Sequence, residues 1–531
     1  MPPKPRSASA LRREHRELCF ERAFPRTPER FRHACEQLED FAERLAGVPS
    51  TLRRRLDDTG IGGTAIHYPF SYDVARWLAR RVPGAVRIDW PRVADTTPLD
   101  DLLRPILQAS EEDYFDSGYV TTRQWLDQAR SGSRRTDFDW LMAQLQGTRF
   151  RAVWAQLYDA ADIPLVWKLG DCPYSKSCNS IPVASVTARE RGMRPRPKQV
   201  HREIRRPLQS IRKLDSGDGA RLVDVAMASL AVRHRETYHF NFANPREVYR
   251  ADVGEGVSIA VFGLLPEHRF PLECTMGYLI LSNGVPIGYG GSSILFRQVN
   301  TGVNIFDEYR GSEASFLWTQ VMRVYHALTG CTRFIANAYQ FGSENREALS
   351  SGAFWFYYRL GYRPILAEVR KIARREAARL SCDSSYRSDV ATLRRLASCD
   401  MHLVLPGARQ SELFDEAWLD TMSMLASREL SAAGGRTQAE SARRLAAGLA
   451  KTLHVTDLAR WSRAEKYALD RIAPIVVAAH PEHWSDADKH SMRALLRAKG
   501  GDEEARFARR LGGHGVFLAA LRKACRRAER Q

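Results

Sequence analysis

Gly277-Tyr-Leu-Ile-Leu-Ser-Asn283-Gly284-Val-Pro-Ile-Gly288 is two apolar runs joined by Asn-Gly, the pair that tolerates the positive φ angles of a type I′ turn, and it predicts a β-hairpin. The second arm continues from Tyr289 to Phe296. A further apolar run, Val303-Asn-Ile-Phe306, ends in the polar Asp307-Glu308-Tyr309-Arg310-Gly311, and a helical pattern running to about Leu328 starts at once. A strand, Arg333-Phe-Ile-Ala-Asn-Ala338, follows. After it come Asn345-Arg-Glu-Ala348-Leu349 and the aromatic run Ala353-Phe-Trp-Phe-Tyr357-Tyr358-Arg-Leu-Gly361-Tyr362-Arg-Pro364. Hairpin, strand, helix, strand and helix in succession describe an α+β domain on one central sheet.

The length of 531 residues exceeds what one hydrophobic core fills, so two to three domains are expected. No apolar run approaches the roughly 20 residues of a membrane span, and Met1-Pro-Pro-Lys-Pro-Arg-Ser leads into charged helix instead of an apolar signal core, so a cytoplasmic protein is expected. Nine cysteines are scattered without CxxC pairs or zinc-finger spacing, and Cys172 and Cys178 read as two reduced thiols in a loop. His480, His483 and His490 lack obvious carboxylate or thiolate partners, so no metal is expected. The net charge of +18, much of it arginine, admits an anionic cofactor, an anionic substrate or a nucleic acid such as tRNA.

Working outward, residues 1 to about 15 are expected to fray, and residues 1–182 to form an α-rich domain with a few strands. Within it Tyr72 to Arg81 reads as an amphipathic helix, Val86 to Trp90 and Ile163 to Leu169 as strands, and Gly60-Ile-Gly62-Gly63-Thr64 as a plain turn lacking the Walker Lys-Ser/Thr. Residues 183–213 carry ten Arg or Lys against two Glu, with three prolines, and read as a basic linker, a solvated connection more than a nucleic-acid strap. Val257 to Gly263 is a strand. Leu403-Val404-Leu405 is a candidate final strand returning to the central sheet of residues 214–408, and residues 409–531 form a helical bundle. Arg522-Lys523 and Arg526-Arg527 read as a solvated helix face.

Two places resemble the GNAT superfamily, whose members move an acyl group from acyl-coenzyme A to an amine. Tyr309-Arg310-Gly311-Ser312-Glu313-Ala314-Ser315, between strand and helix, is similar to the Arg/Gln-x-x-Gly-x-Gly/Ala loop that cradles the coenzyme A pyrophosphate. Backbone N–H groups at a helix N-terminus, aided by the helix dipole, make such an anion site. Asn345, Ala348 and Tyr357 to Tyr362 resemble the family's "Asn, two residues, Ala, then Tyr-x-x-Leu-Gly-Phe" ending, where the Asn contacts the pantetheine and a Tyr protonates the departing thiolate. Glu313 and Ser315 depart from the pattern. A carboxylate beside a pyrophosphate is unfavourable unless it points away or pairs with an arginine.

The resemblance, over about residues 220–370, implies a central mixed-sheet GNAT-like acyltransferase domain, acyl-CoA (acetyl-CoA first) as co-substrate, and an amine-bearing acceptor, small molecule or protein. Phe306, Arg310, Gly311, Ser312, Ala314, Ser315 and Asn345 are then its binding residues. Tyr357 or Tyr358 is the acid, and Asp307 and Glu308, with Glu273 more distant, are candidate bases. The N–H near Phe306 is a candidate carbonyl partner. The alternatives are an aminoacyl-tRNA-dependent transferase and a degenerate GNAT-fold module binding nucleic acid or protein. By its residues alone, the aromatic run from Phe354 to Tyr358 reads as core or domain interface.

Overall fold

The computed structural model describes residues 7–146, 151–311 and 313–530. The chain divides into two compact units, Met1–Gly192 with Arg221–Asn241 and Ser282–Pro286, and Met193–Ala220 with Phe242–Leu281 and Ile287–Gln531. Both units mix helix and strand. No helix among the described residues is long and apolar enough to cross a membrane.

In the first unit, strands β1 (Ala65–His67), β2 (Val86–Ile88) and β3 (Leu165–Lys168) form an antiparallel sheet in the order β1-β3-β2. The helix Tyr72–Arg81 occupies the span its periodicity predicts and buries Val74, Ala75, Trp77 and Leu78. The first helix begins at Ala8, its N-terminus capped by the Ser7 hydroxyl, which accepts the Ala10 N–H. Leu11 and His15 are buried, so residues 8–15 are held by packing where fraying was expected. The glycine loop is the expected turn: Gly62 N–H donates to the Ser177 hydroxyl and Gly63 N–H to the Gly170 carbonyl.

The second unit holds a ten-stranded mixed sheet. Its strands are β4 (Ser210–Lys213), β5 (Ala243–Gly254), β6 (Val257–Leu264), β7 (Cys274–Ser282), β8 (Val285–Leu295), β9 (Gln298–Thr301), β10 (Asn304–Ile305), β11 (Arg333–Ala336), β12 (Arg363–Pro364) and β13 (Met401–Val404). The order is β12-β13-β11-β9-β8-β7-β6-β5-β4, with β10 on β8. The Asn-Gly turn between β7 and β8 has φ of 46° at Asn283 and 78° at Gly284, the left-handed pair its sequence demands. The tip, Ser282–Pro286, belongs to the first unit, where the Asn283 amide donates to the carbonyls of Ala23 and Thr187. β13 returns antiparallel to β11, as expected for the final strand.

The crossover helix Ala314–Thr329 connects β10 to β11 and ends at Gly330, whose φ of 77° closes it in the left-handed manner. Tyr325 and Tyr278 pack edge to face between this helix and β7. The basic segment 183–213, read as a linker, is structured at its end. Val200–Arg205 is a helix burying Val200 and Ile204, and β4 pairs along β5. Glu203 accepts from Gln320 and lies 3.8 Å from the buried Arg323 guanidinium, which donates to the Arg206 and Pro207 carbonyls. Enough apolar surface and hydrogen bonding is thus recovered to fix a chain whose charge suggests solvent.

The helices from Trp418 onward lie in the same unit as the sheet. They are tied to it by a buried ionic cluster of Glu247 on β5, Arg269, Lys499 and Glu504. Arg269 donates to Glu247 at 2.9 Å and to the Lys499 and Gly501 carbonyls, and Lys499 pairs with Glu504 at 2.9 Å.

Candidate functional site

β9 runs parallel to β11 from Gln298↔Arg333 to Asn300↔Ile335. Beyond that register the two strands part. β10 keeps pairing with β8, Asn304 opposite Tyr289, while the chain after Ala336 turns into the 3-10 segment Ala338–Phe341. The parting exposes main-chain groups of Gly302 and Val303 to partners other than a strand, and three side chains answer. The Tyr278 hydroxyl donates to the Gly302 carbonyl. The Gln340 carboxamide lies where a Cβ on Gly302 would meet it at 2.1 Å, so only glycine permits the approach. Burial raises the Tyr357 phenol above its ordinary range, opposed by the nearby Val303 N–H. Asn337, at the end of β11, has a buried Oδ1 with no hydrogen-bond partner.

Spacing left open which tyrosine faces inward. Tyr357 is 3% exposed and packs against Trp318, Phe341 and Tyr362. Tyr358 is half-buried, stacked on Phe354 with the Arg363 guanidinium 4.2 Å above its ring. Most of the aromatic run is core: Phe354, Trp355 and Tyr357 are buried.

The loop before the crossover helix is placed as follows. Phe306 is buried and stacks on Tyr289, and its N–H, read as a carbonyl partner, donates to the Ile287 carbonyl. Asp307 is exposed and pairs with Arg310 at 2.9 Å, and Glu308 sits beside it in the same 3-10 turn. Arg310 also pairs with Glu347 at 2.7 Å, so its charge is shared between two carboxylates. Gly311 takes φ of 83° with open space around its Cα, and Ser312 lies outside the described residues. The N–H groups of Ala314, Ser315 and Phe316 precede the first intrahelical bond, which Leu317 donates to Glu313. Glu313 is buried and accepts the Arg194 N–H at 3.0 Å. Asn345 caps the short helix Arg346–Ser350, its Oδ1 accepting the Ala348 N–H. Asn345 and Arg310 therefore each have a structural partner, and neither is brought to the parting strands by those bonds.

Sequence reasoning did not single out two carboxylates at the same strand ends. Glu416 accepts a hydrogen bond at 3.0 Å from Asn300, the last β9 residue in register with β11. Asp400, just before β13, accepts the Ala338 N–H at 2.9 Å. Both line a cavity of about 550 Å³ with Arg333, Arg363 and His402. Burial raises the Asp400 carboxyl against the pull of the Ala338 N–H. Burial also raises Glu416, reinforced by the charges of Asp400, Glu273 and Asp415 and opposed by Asn300. Glu273, the more distant base candidate, thus acts on this cluster and accepts the Ser293 hydroxyl. His402 is lowered to about 4 by burial and by Arg333, and is neutral at pH 7. A raised carboxylate beside a neutral imidazole and two arginines can accept a proton from a bound ammonium and orient an anionic substituent. No local motif joins residues 400 and 416. The signal available was only that Asp400 precedes a strand predicted to enter the sheet.

No protein-family model matches the chain, and neither the curated proteins nor the solved structures compared with it gave a match.

Proposed function

We propose that the second unit is an acyl-CoA-dependent N-acyltransferase acting at the parting of β9 and β11. One observation carries this reading: the buried phenol of Tyr357 lies by Val303, just past the end of β9, and the raised carboxyl of Glu416 is bonded to Asn300 within β9. Asn300 and Val303 are three residues apart in the chain, so their backbones lie within about 11 Å of each other.

The chain fits such a co-substrate in part. The orphaned Asn337 Oδ1 is an acceptor for an amide N–H of the kind pantetheine carries, and the crossover-helix N–H groups from Ala314 to Phe316 offer a terminus for a phosphate. Bound acyl-CoA would supply the activated acyl group. Glu416, with Asp400 beside it, takes the proton from the acceptor ammonium. Tyr357 keeps its proton across the neutral range and is a standing donor for sulfur. Asp307 and Glu308 serve less well as bases, since Asp307 is exposed and held by Arg310.

A second reading is favoured by Arg310, whose pairing with Asp307 and Glu347 leaves it less available to a pyrophosphate. A transferase using aminoacyl-tRNA, or a binding module without catalysis, does not need that cation. Thermal-shift titration separates them: acetyl-CoA or a longer acyl-CoA at 100 times its Kd stabilises by about 2.7 kcal/mol. No shift with any acyl-CoA would overturn the first reading.

A further inference from the structure

We propose that the second unit carries a binding cleft for a nucleic-acid phosphate backbone, formed against its last helix and independent of acyl transfer. Gly515–Ala528 buries Phe517, Leu518, Leu521 and Cys525 on one face. Arg522, Lys523, Arg526, Arg527 and Arg530 line a cavity of about 960 Å³, and its other wall contributes Arg297 and Arg409. Against these seven cations the lining holds one carboxylate, Glu412, 3.9 Å from Arg297.

On the helix Arg522 and Lys523 recur one turn later as Arg526 and Arg527, a stripe of about 8 Å at the helical rise, and Arg530 follows just past the helix end. An array drawn out in this way suits an extended polyanion better than a single phosphate. Six of the seven are arginine, whose fork pairs bidentately with phosphate oxygens. Part of the stripe is braced from within. Arg522 donates to the Ser411 carbonyl, and Arg522 and Arg526 lie 6.0 and 5.6 Å over the Trp418 ring. Such bracing lowers the entropy lost on binding.

Other polyanions fit less well. A lipid surface would engage an apolar face, yet Val516 is the one exposed large apolar side chain on this helix, and the cations line a concavity. An acidic peptide would need a carboxylate at nearly every position to match the charge. A phosphodiester chain carries one on every repeat. The walls present no exposed aromatic platform, so contact is to the backbone, with little base preference.

The test uses the full chain and a fluorescein-labelled 20-nucleotide single-stranded RNA, read by anisotropy between about 50 and 200 mM NaCl. Wild type binds, and affinity falls steeply with salt. The triple variant Lys523→Gln, Arg527→Gln and Arg530→Gln removes cations outside the Trp418 stack. It weakens binding at least tenfold and lowers the salt slope by about 2, at about 0.7 per phosphate contact. A control removing the exposed Arg30, Arg54 and Arg80 of the first unit binds like wild type. Equal binding by the first triple, equal weakening by the control, or capture of tripolyphosphate or anionic vesicles but not RNA would overturn the proposal.

Discussion

Tyr357 and Tyr358 are neighbours in sequence with opposite surroundings, and the difference follows from helical geometry: adjacent residues point about 100° apart. Tyr357→Phe keeps the ring in the core and removes one hydroxyl, and kcat for acyl transfer is expected to fall about 10²-fold with little change in melting temperature. Tyr358→Phe should leave kcat within about twofold. Equal effects in steady-state assays would detach the phenol from catalysis.

Glu416 sets the pH dependence. A base whose pKa is raised in the folded protein loses its charge as pH falls through that raised value. The acid limb of kcat/KM therefore lies above the ordinary carboxylate range near 4.3. Glu416→Gln is expected to lower kcat/KM at least 10²-fold and to abolish that limb. A limb that survives unshifted would move the role to Asp400.

Among the elements, the hairpin was legible because Asn-Gly has few backbone options, whereas β5 went unread. Its twelve residues include Pro245, Glu247, Arg250 and Asp252, a pattern that suggests solvent. Glu247 is nonetheless wholly buried, because Arg269, from beyond β6, and the Ala505 N–H meet its carboxylate. Partners so distant leave no periodicity to read. The candidate site divides the same way. The tyrosine pair and the strand-loop-helix order stand in one stretch of chain, while Asp400 and Glu416 join it only through the return of β13 and the segment after it. The hairpin gives its own test. Gly284→Ala places a Cβ 2.1 Å from the Ile181 carbonyl at a positive φ, and is expected to destabilise by about 1–3 kcal/mol, read as a lower thermal midpoint.

At the scale of the molecule, the cluster of Glu247, Arg269, Lys499 and Glu504 makes sheet and C-terminal helices one cooperative body. Arg269→Met would remove the cation that pairs with the buried Glu247 and leave Lys499 to Glu504. A loss of about 3–5 kcal/mol is expected, seen as a lower urea midpoint at unchanged m. Helices that melted alone while the sheet stayed folded would contradict it.

The division of the chain into interleaved pieces also bears on how the protein is made. The first unit includes Arg221–Asn241 and Ser282–Pro286 as well as the first 192 residues. On the ribosome it therefore waits for its last piece for roughly 5–20 s after residue 192 has been added, at about 5–20 residues per second. For about the first 2–6 s of that interval, at the same rate, the helix Tyr72–Arg81 lacks the Asp224 carboxylate that receives both Trp77 and Arg81. A fragment cut at residue 192 would remain in that unfinished state.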